Sequence, residues 1–411
     1  MINTLNNFKA SFSFFYILGY GVVTALLFSY FIYAEYFGVT FKLLNTLFGI
    51  SSLALFLYAP KKAILIAGFF IGILWFYWIG YSFKYQGVGF MLPLVTLGFG
   101  IIYMLFFGVL ALTHSVSIRA LLLFGLSFVE PFDWNWLQIE LIFIESYIGI
   151  FKYQLFLVLL ALSLLKYVKK SIRYLPLLLI PFAINIQTPN QETSKLKIKL
   201  IQTNIAQEEK WLLNNRLTTI KFIYKEIEKA HKEEYDLVIF PETVFAMYLD
   251  KNENVLHSLL SFSHDISIVA GSLLQENGQN FNVTYLFSEG KYTVAKKMVL
   301  VPFGEYIPLP SFARKIINNT FFSGQSDFIG AQKATDFIIK GETFRNAICY
   351  EASCQEIYEG DVKFVIVTSN NAWFTPSIEP TIQNLLLRFY ARKNGVTIYH
   401  SANYKGTGII Q

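Results

Sequence analysis

The chain has 411 residues, of which 54% are hydrophobic, 18% aromatic and 15% charged, with a net charge of +6. So apolar a composition excludes a protein that is soluble and globular throughout, and the small positive balance, without a basic recognition helix, gives no reason for a nucleic-acid partner. Only 16 of the 62 charged residues fall in residues 1–186, so the chain reads as two parts joined together.

The first part holds apolar stretches of the length a bilayer core demands, about 20 residues of helix. The clearest are residues 12–34, 63–83 and 88–113. Residues 39–59, 117–132, 147–165 and the shorter 174–186 bring the expected number of spans to seven. The first is too long, and lacks a small-residue cleavage site, for a signal peptide.

Lys and Arg accumulate in short cytoplasmic loops. With the N-terminus inside, Lys9, Lys61, Lys62, Arg119, Lys166, Lys169, Lys170 and Arg173 face the cytoplasm, against Lys42, Lys84 and Lys152 outside. An odd number of spans then puts everything after residue 187 outside the cytoplasm. Residues 131–146, PFDWNWLQIELIFIES, mix tryptophans and acids with aliphatics and suit an interfacial loop on that outer side.

From residue 196 the texture changes. LKIKLIQTN (196–204) reads as a strand, 214–234 as a surface helix, and DLVIFPE (236–242) as a short buried strand. HDISIVAGSLL (264–274) repeats the pattern, and 282–300 reads as a hairpin about SEGK. FRNAICYEA (344–352) and VKFVIVTSNNAWF (362–374) are further apolar strands, 383–395 is a helix closed by Gly, and 396–406 is a last strand. Such alternation predicts an α/β arrangement with ligands at the carboxyl ends of strands. Those ends carry Glu242, the Lys296-Lys297 pair and Cys349: a carboxylate, an amine and a thiol.

The two cysteines, Cys349 and Cys354, lie five residues apart. A disulfide would require the chain to fold back until the Cα atoms are within about 7 Å, and two cysteines without a His or acid cluster fall short of a zinc set. Two small buried side chains are the plain alternative, preferred for Cys354. Cys349 keeps different company: a thiol needs a base or a neighbouring cation to attack an acyl carbon, and Glu242 and Lys297 are candidates for each.

DLVIFPET, KKMVLVPFGEYIPLP, AICYE and SNNAWF, with IQTNIAQEEKW (201–211), closely resemble the motifs of the apolipoprotein N-acyltransferase family, membrane enzymes whose soluble domain has the nitrilase fold. The resemblance covers essentially the whole chain. It implies a polytopic helical membrane domain, residues 1–187, and an extracytoplasmic α/β nitrilase-like domain of the αββα sandwich type, residues 188–411. By motif position it implies Glu242 as base, Lys297 as the cation that stabilises the tetrahedral intermediate, and Cys349 as nucleophile. Lys297 is preferred to Lys296 because it stands eight residues before Glu305. Glu305, Tyr350, Glu351 and Trp211 match supporting positions, and Trp373 is expected near the substrate channel.

The implied reaction moves an acyl chain from a phospholipid, through a cysteine thioester, to the α-amine of the diacylglyceryl cysteine that begins an apolipoprotein. The implied setting is the bacterial inner membrane with the catalytic domain on the periplasmic side, as a monomer, with no cofactor, no metal and no nucleic acid. Two departures stand out. Asn371 occupies a position where the family usually carries aspartate, and the chain stops at GTGIIQ where relatives continue into further strands and a last membrane helix, so a truncated or short form is expected. The rival expectations are a membrane-tethered amidase or nitrilase and a non-catalytic lipid-binding membrane protein.

Overall fold

A computed structural model of the chain describes residues 2–85, 87–185, 191–302, 305 and 328–411, residues 2–12 as backbone. The chain divides into two compact units, Met1–Lys84 with Gly89–Thr188, and Tyr85–Val88 with Pro189–Gln411. The expected junction at residue 187 and most of the VPFGEY segment lie outside the described residues.

The first unit is helical: α1 (Ile2–Tyr36), α2 (Lys42–Tyr58), α3 (Lys61–Phe76), α4 (Leu92–Gly108), α5 (Val116–Leu126) and α6 (Lys152–Leu164), followed by a 3₁₀ segment Leu175–Ala183. With their 3₁₀ extensions, Ser13–Tyr36, Lys61–Lys84 and Gly89–Leu112 are each 24 residues long and apolar enough to cross a membrane; α2 and α6 are shorter apolar helices. Small residues let α3 and α4 touch backbone to backbone. A Cβ on Gly72 would stand 2.3 Å from the Phe99 carbonyl oxygen and one on Gly68 2.5 Å from that of Tyr103.

Residues 134–144 are packed inside this unit. Trp134, Trp136, Ile139, Leu141, Ile142 and Phe143 are buried, the Trp136 ring lies 5.1 Å from Trp78, and Asn45 of α2 donates to the Glu145 carbonyl at 2.9 Å. Burial is tolerable for the one deep acid because Lys152 pairs with Glu140 at 2.5 Å.

Among the described residues the second unit contains ten strands in two sheets. One has the order β1 (Ile198–Leu200), β2 (Leu237–Ile239), β3 (Ser267–Glu276), β4 (Gln279–Ser288), β5 (Lys291–Lys296). The other runs β10 (Gly408–Ile410), β9 (Thr397–Asn403), β8 (Phe364–Asn370), β7 (Glu342–Ile348), β6 (Asp336–Ile339). Within each sheet the strands β1-β2-β3 and β7-β8-β9 are parallel. Three hairpins use two-residue turns with both residues in the left-handed region, Asn277-Gly278, Glu289-Gly290 and Lys340-Gly341. Such turns match the twist of antiparallel strands.

The sheets pack face to face over Leu237, Ile239, Val269, Leu286, Phe337, Phe344, Phe364 and Tyr399. The outer face of the first sheet is covered through Ile223, Ile227 and Leu259 of α8 (Leu213–Lys232) and α9 (Glu253–Phe262). Against the second sheet lies α10 (Glu379–Asn394), with Ile382, Leu385, Leu386 and Phe389 buried. This is the expected αββα sandwich. Strands β6 and β10 and helix α9 were not expected from the sequence, and β1 is shorter than the stretch 196–204.

Candidate active site

Strand ends supply the site. Strand β2 stops at Ile239, and Glu242 follows in a loop where Thr243 has φ +44. That loop sits directly on β3: a Cβ on Gly271 would come within 2.4 Å of the Thr243 nitrogen and 2.7 Å of the Glu242 Cα. The Lys210 Nζ, at the end of the short helix α7 (Gln207–Lys210), donates to the Glu242 backbone carbonyl at 3.0 Å. The Glu242 carboxylate accepts from the Asn282 amide at 2.7 Å, and the same nitrogen lies 3.3 Å from Glu305 Oε1.

Pleat alternation separates the two lysines. Lys296 points outward, ion-pairs with Glu276 and lies over the Phe281 ring. Lys297 turns inward, is 1% exposed, and pairs with Glu305 Oε2 at 2.7 Å. The same Oε2 also accepts the Val301 backbone N–H at 2.9 Å, which anchors Glu305 against the chain it follows.

Strand β7 stops at Ile348, and Cys349 opens a 3₁₀ turn with φ +54, a left-handed conformation that non-glycine residues rarely hold. The buried Glu351 carboxylate stabilises this turn by accepting the backbone N–H groups of Ile348 (2.7 Å), Met298 (2.7 Å) and Val299 (3.1 Å). One side chain thus ties the thiol's turn to the segment just after Lys297. The Gln383 Nε2 on α10 lies 3.7 Å from the Cys349 sulfur.

The electrostatics are those of a dry cluster. Burial pushes the Cys349 thiol well above its ordinary value, the Glu242 charge adds to this, Lys297 opposes it, and Glu379 and Glu305 act in the same sense as Glu242. For Lys297 burial alone would lower the amine, but Glu305, Glu242 and Cys349 outweigh it and hold the group charged. Lys210 is lowered to about 8 by burial, with Glu242 and Cys349 pulling it back up. Burial raises Glu351 to about 7 against the Lys297 charge and the three N–H donors, and pushes Glu379 well up, with Glu242 adding to it.

Glu242, Lys297, Glu305, Cys349 and Glu351 therefore come together, while other expected residues stand differently. Tyr350 is buried beside Cys349, and its carbonyl accepts from Ser353 Oγ at 2.6 Å. Trp211 is half-exposed next to Lys210, and Trp373 is partly buried with its ring edge-on to Tyr85 at 5.5 Å. Cys354 is buried, and its thiol donates to the Tyr350 carbonyl oxygen at 3.7 Å. Lys210, Asn282, Glu379 and Gln383 were not singled out from sequence, although Lys210 lies inside the quoted IQTNIAQEEKW.

An apolar helical unit followed by a four-layer αββα domain that gathers an acid, an amine and a thiol at its strand ends defines a membrane-bound protein of the nitrilase-like class. Residues 14–186 match the model of the apolipoprotein N-acyltransferase integral membrane domain. The apolipoprotein N-acyltransferase of Wolinella succinogenes is 41% identical over 395 residues, 96% of this chain and 95% of that protein. Those of Helicobacter hepaticus and Helicobacter pylori are 38% and 35% identical, covering 90% and 94% of this chain and 94% and 92% of theirs. The chain belongs to the apolipoprotein N-acyltransferase family. Among solved structures, a carbon–nitrogen hydrolase superfamily protein from Xanthomonas campestris is similar at 16% identity and a TM-score of 0.40, covering 52% of this chain and 77% of that one. An amidase from Nesterenkonia gives 15% identity and a TM-score of 0.39, covering 53% and 80%.

Proposed function

We propose that this chain transfers an acyl chain from a membrane phospholipid to the α-amino group of the diacylglyceryl cysteine at the N-terminus of apolipoproteins, with Cys349 as the covalent carrier. The observation that carries the reading is the convergence on Cys349 of a buried carboxylate, Glu242, and a buried ammonium, Lys297, each fixed by its own hydrogen bonds.

In the first half-reaction Glu242 takes the Cys349 proton as the sulfur attacks the ester carbonyl. Lys297 and a backbone N–H offset the negative charge that grows on the carbonyl oxygen. Glu242 then returns the proton to the departing alkoxide, leaving a lysophospholipid and a thioester. In the second half-reaction the lipoprotein amine attacks the thioester, its proton passes to Glu242, and the Cys349 thiol is restored. A raised thiol pKa suits this scheme, because the proton stays on sulfur until Glu242 removes it during attack.

Both substrates are held in a bilayer, which accounts for an αββα domain carried on apolar helices. The Lys and Arg balance supports a catalytic domain on the periplasmic side of the inner membrane, in a chain that acts as a monomer. Trp373 is proposed to contact the substrates, and Glu305, Tyr350, Glu351 and Trp211 to support the three central groups.

Incubating the purified protein with phospholipid and measuring its intact mass tests the reading. One acyl adduct on Cys349, discharged by a diacylated lipopeptide amine, is the expected result. Absence of an adduct together with turnover of a soluble amide would replace it with the amidase reading.

A further inference from the structure

We propose that Gln383 is a hydrogen-bond donor to the Cys349 sulfur, and that Asn371 is a positioning residue that fixes which end of the Gln383 amide faces it. The proposal rests on Cys349 as nucleophile but concerns two residues outside the Glu242–Lys297–Cys349 set.

One backbone group has no choice of role. The Lys405 carbonyl oxygen can only accept, and it lies 2.9 Å from Asn371 Nδ2, which fixes the orientation of the Asn371 amide. The remaining hydrogen of that nitrogen points to Gln383 Oε1 at 3.0 Å. Gln383 must therefore offer its oxygen to Asn371, and its Nε2 is left facing the sulfur at 3.7 Å. Both side chains are sealed in place, Asn371 being 0% and Gln383 1% exposed, so neither amide can turn without losing a buried hydrogen bond. A second carbonyl contact, Thr375 Oγ1 to the Asn371 oxygen of the main chain at 3.0 Å, holds the 3₁₀ turn that bears Asn371.

Aspartate at 371 would reverse this logic. A carboxylate has no hydrogen for Lys405 or for Gln383 Oε1, and it would draw the Gln383 Nε2 toward itself and away from sulfur. The asparagine that stands out in the sequence thus belongs with Gln383, four residues into α10. A donor to sulfur favours thiolate over both thiol and thioester, because an anionic acceptor binds a hydrogen bond more strongly than a neutral one. Gln383 then assists attack on the donor ester and, in the second half-reaction, departure of the sulfur. The other groups acting on this thiol are Glu242 after β2, Lys297 and Glu305 after β5, Glu379 at the start of α10 and Lys210 at the end of α7, and none of them takes over the role of a neutral donor.

The test is the pH dependence of Cys349 alkylation by iodoacetamide in the full-length protein in detergent, carrying Cys354→Ala and read by intact mass. This readout needs no lipid substrate, so it stands even if the acyl-transfer reading fails. Gln383→Leu is expected to slow alkylation at pH 8 about threefold to tenfold and to move the titration up by about half to one pH unit. Asn371→Leu, which removes the orienting amide without adding a charge, is expected to do about as much alone and to add little in the Gln383→Leu background. An unmoved titration in a folded Gln383→Leu variant overturns the proposal. Additive effects in the double variant overturn the role of Asn371. Should Gln383→Leu fail to fold, Gln383→Met, which keeps the length, adds no charge and removes the donor, must shift the titration upward; an unchanged or lowered titration there is equally fatal.

Discussion

The carboxylate of Glu351, two residues past the thiol, accepts the backbone N–H of Met298, one residue past Lys297, at 2.7 Å. The nucleophile's turn and the ammonium's strand end are therefore held at one distance by a side chain that need not touch substrate. Glu351→Ala leaves three N–H groups without their acceptor, the buried one of Ile348 at a cost of about 1–3 kcal/mol and the part-buried ones of Met298 and Val299 at less. A fall in acyl transfer of more than a hundredfold is expected, with a lower melting temperature in the same preparation. Acyl-adduct formation at the parental rate would show that the tie is dispensable.

The same residue makes a signed prediction for pH. Burial raises Glu351 to about 7, above its unfolded value near 4.5. A raised carboxyl pKa means the folded state binds the proton more tightly, so its contribution to stability is full below about 4.5 and lost as pH rises through 7. Thermal melts of the parent and of Glu351→Gln, followed from pH 4.5 to 8, are expected to differ in slope, the parent declining more steeply over this range. Parallel curves would remove Glu351 as the source.

Cys349→Ala is expected to abolish both the acyl adduct and transfer. Cys354→Ala keeps most of the activity and loses about 1 kcal/mol of packing, because the Cys354 thiol is buried away from the charged cluster. Intact-mass measurement of each variant after exposure to phospholipid separates them. An adduct that persists in Cys349→Ala would move the nucleophile to Cys354.

How much of this was legible in the sequence depends on the range of the forces concerned. Glu242 and Cys349 could be read because each ends a short apolar strand, and a strand that stops at a polar residue places it at the sheet rim. Lys297 could be told from Lys296 only through the family's spacing; the pleat then turned it inward. Asn282, Lys210 and Gln383 were illegible because each reaches its partner across the fold, over 40, 32 and 34 residues. The buried course of residues 134–144 was hidden for a related reason: its tryptophans pack on Trp78 and its acid on Lys152, and mixed composition alone does not reveal such packing.

Lys210 gives a prediction on the base. Its buried ammonium holds the Glu242 backbone and adds positive charge near the thiol, and that charge is lost as pH rises through about 8. Replacing it with methionine, which keeps the length and removes the donor, is expected to lower acyl-enzyme formation at pH 7 about tenfold. A break near pH 8 in the parental rate profile should disappear in the variant. A break that survives Lys210→Met belongs to another group.

Gly271 tests whether the position of Glu242 depends on close contact with β3. An added methyl would stand 2.4 Å from the Thr243 nitrogen and 2.7 Å from the Glu242 Cα, both backbone atoms with no flexible end to yield. The loop must then lift from the strand, breaking the Phe245 N–H to Gly271 carbonyl bond of 3.1 Å and moving the carboxylate off Asn282. Gly271→Ala is expected to destabilise the αββα unit by about 1–3 kcal/mol and to reduce acyl-enzyme formation far more than that loss of folded protein explains. Measuring the fraction folded and the adduct rate in one sample separates these effects. A variant that melts early yet forms adduct at the normal rate per folded molecule would show that the loop re-seats Glu242 without the contact.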